Sequence, residues 1–386
     1  MQKIIVSLTS YPKRIAMVHK VIKSLFEQTW KADRIILYLS EEEFPQKEQN
    51  LPKRLTALLG QNGFSVIWVG GNLRSHKKYF YSLQECENIV ITIDDDVCYA
   101  KTMIEDLLTE HMKYPQAVLA RNVHTILLDK DHLAKYAVWA SCPSQFANQP
   151  RRDLCAIGVG GILYPPECAS KYWFDKEGIK NLAMDQDDLW LKFHEIADGI
   201  PVVYVPPTER DTNIDYPLQE KLSFANIIEG KNDDAIFKLE QWLESEYKGV
   251  YQSWLHELSD IDTYILRKKE YYGEVNRRLL EANGECPIYL YGAGKRAGKI
   301  LRFLEEVKLK DKIEAVLVSD KKGNPQQLEG VEVRDIGEIN PMCFFGVIYG
   351  LAGEQYQQEI DAVLQGYQCE RIELDFQGIQ EYYIDY

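Results

Sequence analysis

Three consecutive carboxylates, Asp94, Asp95 and Asp96, follow directly on the apolar run Ile89–Ile93 in the stretch ITIDDDV. Carboxylates this close repel one another, and the crowding is costly unless a cation or hydrogen-bond donors lie against them. A hard divalent cation meets that need and bridges carboxylate oxygens to substrate phosphates. A solvated acidic turn is the plain alternative. Two further loops carry matching donors. One follows the run Lys3–Leu8 and holds Thr9, Ser10, Tyr11, Lys13 and Arg14; the other follows Phe64–Val69 and holds Arg74, Ser75, His76, Lys77 and Lys78. Basic loops facing a carboxylate cluster suit a metal-diphosphate ligand, although each cation taken singly is an ordinary surface charge.

A second acidic group, Asp185, Asp187 and Asp188, opens a helical pattern with Leu189, Trp190 and Phe193 on its apolar side. Asp at a helix N-terminus is favoured by capping and by the macrodipole, which accounts for at least one of the three. The sharper reading is a general base, for which a carboxylate must come within hydrogen-bond reach of the proton it removes. Upstream, Gly158, Gly160 and Gly161 with Pro165 and Pro166 form a tight turn that lets a ligand approach the backbone closely. Trp139 and Trp190 are candidates for stacking on a ligand ring, with burial in the core the commoner fate of such residues. Neither His194 nor His256 is placed to complete a metal shell after Asp188. Far downstream, Gly292, Gly294 and Gly298 lie between a strand and a helix at a spacing one residue longer than the dinucleotide fingerprint. Such a turn can bring a phosphate to a helix N-terminus.

The elements that must position these groups follow from periodicity. Strands are expected at Lys3–Leu8, Arg34–Leu39, Phe64–Val69 and Asn88–Ile93. Between them, Val18, Val21, Ile22 and Leu25 mark one helix, Leu51, Leu55, Leu58 and Leu59 another, and Tyr79–Cys86 a third. This alternation predicts an α/β fold with a mainly parallel sheet and helices on both faces. Ligands of such sheets bind beyond the carboxyl ends of the strands, where both basic loops and Asp94–Asp96 fall. From about 145 to 215 the pattern is an irregular α+β elaboration, and 217–285 is helical. A fresh βαβ unit then opens with Pro287–Tyr291, runs through a helix to near Lys308, and returns as Glu314–Ser319. The expected domains are 1–216, 217–285 as a helical linker, and a Rossmann-like 286–386. The last has no Tyr-x-x-x-Lys set and suits binding or scaffolding better than dehydrogenation.

At 386 residues the chain has room for two or three domains. Its 59 Asp and Glu against 45 Lys and Arg give a net charge of −14, which argues against a nucleic-acid partner. The average conceals a split: residues 1–80 hold 13 Lys and Arg against 6 Asp and Glu, a local +7 that leaves −21 for the remainder. No stretch approaches the length of a membrane span and the N-terminus does not have the pattern of a signal peptide, so a cytoplasmic protein, free or peripheral to the inner membrane face, is expected. The eight scattered Cys are expected to be reduced core residues.

Taken in order, IIVSLTSYPKRI, SLFEQTW, DRIILYLSEEEFP, ITIDDDV, GVGGILYPP and DQDDLWL resemble a bacterial group of GT-A fold glycosyltransferases related to inverting family 2, which build surface polysaccharides. The resemblance covers roughly residues 1–240, with LSFANIIEGKNDDAI near its end. It implies transfer of a sugar from a nucleotide-diphosphate donor to a hydroxyl of a glycan or lipid-linked acceptor. It implies that Asp94 and Asp96 are the outer positions of an Asp-x-Asp motif, with Asp96 holding Mn²⁺ or Mg²⁺ and Asp94 or Asp95 near the ribose or the metal. Thr9, Tyr11 and Arg14 would form the nucleotide loop, with Lys77 and Lys78 as further donor-site cations. Asp187 or Asp188 would be the base, with Asp187 narrowly favoured. The C-terminal part resembles Rossmann-like modules appended to bacterial polysaccharide enzymes. A nucleotide-binding regulatory or scaffold protein with a degenerate transferase domain is the alternative, and an NAD-dependent oxidoreductase a third.

Overall fold

A computed structural model describes residues 2–130, 132–141, 146–214, 230–260, 271–279, 281, 286–351, 354–374 and 379. The chain divides into two compact units, 1–261 and 262–386.

The first unit is built on an eight-stranded sheet. Its strands are β1 (Ile4–Thr9), β2 (Arg34–Ser40), β3 (Phe64–Val69), β4 (Ile89–Thr92), β5 (Val118–Ala120), β6 (Pro150–Arg151), β7 (Ile162–Tyr164) and β8 (Val202–Tyr204), in the spatial order β6-β8-β5-β7-β4-β1-β2-β3. β4, β1, β2 and β3 run parallel, as do β5 and β8; β7 is antiparallel to both its neighbours. Ile4 to Leu8 and Ile35 to Leu39 are buried without interruption, the pattern of strands covered on both faces. Apolar clusters fill both sides of the sheet. Helix α1 (Val18–Phe26) buries the expected stripe of Val18, Val21, Ile22 and Leu25. α2 (Lys77–Phe80) and α3 (Met103–His111) follow, then α4 (Asp187–Asp198), which ends at Gly199 in the left-handed region.

Two expected helices are shorter than the apolar spacing suggested. The Leu51–Leu59 pattern yields one turn, Lys53–Thr56, because the chain turns at Gly60 with φ +77° and leaves Leu59 exposed. Tyr79–Cys86 yields only α2. There Tyr79 and Phe80 are both buried and Tyr81 stacks on Tyr38, so consecutive rings point into protein and no single helical face holds them. Helices α5 (Lys231–Glu246) and α6 (Lys248–Leu255), from the expected linker, place Leu239, Leu243 and Trp254 in the same core cluster as Trp190 of the first unit. The rest of that segment, 217–229, 261–270, 280 and 282–285, lies outside the described residues. So do most of LSFANIIEGKNDDAI, the ends of the 145–215 elaboration and Cys142.

The second unit holds a six-stranded sheet of β9 (Ile288–Tyr291), β10 (Ile313–Val318), β11 (Gln327–Leu328), β12 (Val331–Asp335), β13 (Phe345–Tyr349) and β14 (Cys369–Arg371), ordered β11-β12-β10-β9-β13-β14. All pairs but β11–β12 are parallel. Helices α7 (Lys295–Glu306) and α8 (Glu354–Leu364) cross over between strands. The sequence therefore encodes an α/β protein with one large, mainly parallel sheet and a second, smaller one.

The cysteines differ from expectation. All seven described are free, but Cys155 is the sole buried one among them, and Cys86 and Cys343 are exposed. Among the described residues no helix is long and apolar enough to cross a membrane.

Candidate active site

The carboxyl ends of β1, β3 and β4 bring the two basic loops and the first acidic group to one sheet edge, as parallel strands must. At its centre is Lys78. The hydroxyl of Ser7 on β1 donates to the Lys78 carbonyl, fixing the start of α2 against the sheet. The Lys78 side chain is 5% exposed and its Nζ lies 2.8 Å from Oδ1 of Asp94 and 2.8 Å from Oδ2 of Asp187. One ammonium thus joins two acidic groups almost a hundred residues apart in the chain. Its own burial opposes its charge, but Asp187 and Asp94 outweigh that and hold it firmly protonated.

The rest of the Arg74–Lys78 loop reaches the same segment. Arg74 pairs with Asp185, the Ser75 side chain hydrogen-bonds Asp187, and buried His76 sits 2.8 Å through Nε2 from the Ala183 carbonyl. The carbonyl can only accept, so Nε2 carries the proton, and Nδ1 accepts from the Tyr79 hydroxyl at 2.9 Å. Desolvation keeps His76 neutral by lowering its pKa. Lys77 points elsewhere, to Glu43 at 2.9 Å and Asn72 at 2.8 Å.

Asp187 and Asp188 occupy the first turn of α4, where the helix dipole favours negative charge. Their environments push them apart. Asp187 is buried, yet Lys78 above all, then the Ser75 hydrogen bond, hold its carboxyl below the ordinary range. For Asp188 burial and the neighbouring Asp187 dominate, and its pKa is pushed up to about 8. Asp188 is packed by protein on most sides but is half-buried by accessibility, as befits a residue at a cleft wall. Its Oδ2 accepts from the Gly158 N–H at 3.2 Å, and its Oδ1 is a buried oxygen with no hydrogen-bond partner. Gly158 is required here: a Cβ on it would lie 2.7 Å from Lys78 Nζ, 3.1 Å from Asp94 Oδ1 and 3.4 Å from Asp188 Oδ1.

The three aspartates after β4 divide in the same way. Asp95 is buried and accepts from Ser10 Oγ at 2.5 Å and Arg14 Nη1 at 2.9 Å. The same Nη1 lies 2.9 Å from Asp96 Oδ2. The Asp94 and Asp96 side chains remain 32% and 27% exposed, so both can still meet a ligand. Burial and the adjacent Asp94 push Asp96 up to about 6, while Arg14 pulls the other way. Arg14 itself stays charged under its two carboxylates and lies 5.7 Å from the centre of the Tyr11 ring. Tyr11 is half-buried, and Thr9 donates to the Tyr38 carbonyl at 2.8 Å. Lys13 is exposed.

The structure thus brings Asp94, Asp96, Asp187, Asp188 and Lys78 into one cluster, with Arg14 and Asp95 beneath it. Trp139 and Trp190 are buried with about 1% exposure each and do not form a sugar-stacking surface. Their indole N–H groups donate to the Ala134 and Trp173 carbonyls inside the core. Gly292, Gly294 and Gly298 belong to the second unit. Tyr99 went unnoticed in the sequence: buried, its hydroxyl accepts from the Asp94 N–H at 2.9 Å and donates to the Val159 carbonyl at 3.3 Å, tying Asp94 to the glycine turn. Ser10, Ser75 and Gly158 were placed on their loops by the sequence but their partners were not, because no spacing rule marks which carboxylate of another loop a hydroxyl or amide serves.

No protein-family model matches the sequence, and no curated protein matches it. Solved structures do. The mannosyltransferase PcManGT from Pyrobaculum calidifontis, solved with GDP-Man and Mn²⁺, aligns over 66% of this chain and 68% of that chain, with 10% identity and a TM-score of 0.41. S. aureus TarS 1-349, solved with UDP, aligns over 52% of this chain and 58% of that one, with 13% identity and a TM-score of 0.34. A 4-diphosphocytidyl-2C-methyl-D-erythritol synthase aligns over 57% of this chain and 95% of that one, with 9% identity and a TM-score of 0.35. At such scores and identities nothing about this chain's chemistry follows from them.

Proposed function

We propose that the first unit is a glycosyltransferase that moves a sugar from a nucleotide-diphosphate donor to a hydroxyl of a glycan or lipid-linked acceptor in surface polysaccharide synthesis, with inversion. The observation that carries this reading is the Lys78 bridge. It ties Asp94, next to solvent-reachable Asp96, to Asp187, the immediate neighbour of the carboxylate suited to proton removal, Asp188. A degenerate or purely structural domain has no use for that juxtaposition.

Asp94 and Asp96 fit a divalent cation. They are hard oxygen donors, crowded enough that burial and mutual repulsion raise Asp96, and a cation between them relieves both effects. Among the described residues no cluster of three metal-ligating side chains forms. One or two carboxylates completed by substrate phosphates is, however, the usual shell of Mg²⁺ at such sites. Mn²⁺ or Mg²⁺ held there would offset the charge that builds on the departing diphosphate. Arg14 orients Asp96 and, with Tyr11 and Thr9, lines the loop proposed to take the nucleotide. Lys78 holds Asp94 and Asp187 at fixed spacing, so the donor and acceptor sides of the cleft keep register.

Asp188 is the better base of the pair. Its pKa lies near working pH, where a general base is most effective. The Gly158 N–H holds Oδ2, and Oδ1, unpaired but buried, takes the proton of the acceptor hydroxyl once a small turn of the carboxylate uncovers it. Asp187, neutralised by Lys78, is the less basic of the two.

The test is a thermal-shift titration of the full chain with UDP, GDP and CDP, with and without Mn²⁺ or Mg²⁺, followed by donor screening read as released nucleotide. One nucleoside diphosphate should raise the transition only with metal, and Asp96→Asn should remove that rise. A rise unaffected by Asp96→Asn, or none with any diphosphate, overturns the proposal.

A further inference from the structure

The second unit has a cavity of its own, about 230 Å³ in volume. It lies along the carboxyl ends of β13 and β14, next to the point where the strand order reverses. From β9 the chain proceeds outward through β10 and β12 on one side and through β13 and β14 on the other, so β9 and β13 flank the switch point. In open α/β sheets that crevice, at the carboxyl ends of the strands, is where ligands bind.

Its lining is specific. Arg278 comes from the helical segment 271–279, Arg296 from the first turn of α7, and Arg371 from the end of β14. Three arginines from three separate elements thus line one cavity, and Glu373, 3.8 Å from Arg371 Nε, is the one acidic side chain among the described residues that line it. Arg278 is steadied by Glu274 at 2.7 Å and by the Glu373 carbonyl at 2.7 Å. The Arg371 guanidinium lies over the Tyr349 ring, 4.4 Å from its centre. Ile300, Ile348 and Leu351 supply an apolar part of the same wall.

The glycine turn does not offer the same room. A Cβ at Gly292, which has φ +102°, would lie 2.8 Å from the Leu351 side chain, and Gly298 faces Arg302 and Glu329 one turn into the helix. Leu351 fills the space above the turn, and the cations stand on the β13–β14 side of it.

We propose that this cavity binds a nucleoside phosphate, with Arg278, Arg296 and Arg371 on the phosphate and the Ile300–Ile348–Leu351 wall against the flat, less polar part. Guanidinium forks match phosphate oxygens bidentately, whereas a lone apolar pocket would not gather three of them. The volume is below the ordinary range for drug-sized ligands, which favours a mononucleotide over a dinucleotide. The site is independent of the transfer reaction proposed for the first unit.

Isothermal titration of the full chain in EDTA, with ADP, pyrophosphate and NAD⁺ as separate probes, tests the assignment. EDTA removes any metal-dependent binding at Asp94 and Asp96. ADP should bind more tightly than either pyrophosphate or NAD⁺. The Arg296→Gln/Arg371→Gln double variant should weaken ADP at least tenfold, Arg371→Lys should weaken it partially, and Asp96→Asn should leave it unchanged. Unaltered near-ultraviolet circular dichroism of the double variant excludes unfolding as the cause. No heat from any probe at millimolar concentration overturns the site. Loss of ADP binding in Asp96→Asn with retention in the arginine variants places the nucleotide elsewhere, and pyrophosphate matching ADP refutes the nucleoside part.

Discussion

Replacing Lys78 by Met probes the junction on which the active-site reading depends. Met keeps an unbranched stem of similar length, so the change removes a charge with little loss of packing. In the native protein the ammonium lies 2.8 Å from both Asp94 and Asp187 and is 5% exposed, so water cannot replace it. At an effective dielectric near 20, unit charges about 4 Å apart interact by about 4 kcal/mol. Removing one member of a buried pair costs about 3–5 kcal/mol, because the partner is left uncompensated. For a unit of this size each kcal/mol moves the midpoint by roughly 2–4 °C, so a fall of roughly 6–20 °C is expected near pH 7.5. The sign of the pH effect follows from Asp187. With Lys78 present its pKa is lowered, and the stability it contributes is full above the ordinary carboxylate value. Without Lys78, burial pushes it up instead, so the variant's native state takes up a proton and recovers stability as pH falls. Urea denaturation of both proteins at pH 7.5 and pH 5.5 should therefore show a deficit that shrinks at the lower pH. A midpoint change below about 2 °C, which at roughly 2–4 °C per kcal/mol is about 1 kcal/mol or less against the roughly 3–5 kcal/mol a buried pair costs, would refute the bridge. A deficit equal at both pH values would refute the assignment of Asp187 as its partner.

Three other outcomes are expected. Asp188, with its pKa raised to about 8, binds a proton when folded that the unfolded chain has already released; stability from this group is present below the ordinary carboxylate value and lost as pH rises toward 8. Asp188→Asn should remove that slope, gaining on the native protein between pH 5 and 8.5 in metal-free denaturation curves, while abolishing sugar transfer; unchanged slope or unchanged transfer contradicts the role. Gly158→Ala places a methyl 2.7 Å from Lys78 Nζ and should cost about 1–3 kcal/mol of stability, with transfer falling further than the melting shift explains. Arg14→Met leaves Asp95 and Asp96 without their shared cation and should lower stability by about 3–5 kcal/mol at pH 7.5, measured by the same urea curves; a loss under 1 kcal/mol would show that Ser10 alone suffices.

The strands were legible from the chain because long apolar runs such as Ile4–Leu8 and Ile35–Leu39 are what a two-sided parallel sheet requires, and the ends fell within a residue or two of expectation. The α1 stripe was legible for the same local reason. The short helices were not, since Gly60 and the inward-facing rings of Tyr79 and Phe80 override propensity through turn geometry and packing. Strand-end logic also placed Asp94–Asp96 and the two basic loops on one edge. It misjudged what the cations do there. Arg14, Arg74, Lys77 and Lys78, counted toward the +7 of the first 80 residues, each face a carboxylate of this chain.

Residue types and order alone determined an α/β sheet, an acidic strand end, an acidic helix start and a later unit with its own glycine turn, because each is a local pattern of one or two elements. Only the tertiary structure decided that Lys78 joins Asp94 to Asp187, that Asp187 and Asp188 are driven to opposite protonation, and that three arginines line one cavity at the ends of β13 and β14. Those outcomes depend on which loops the sheet order brings within hydrogen-bond reach and on how far water is excluded there. Neither quantity is a property of any short stretch of sequence.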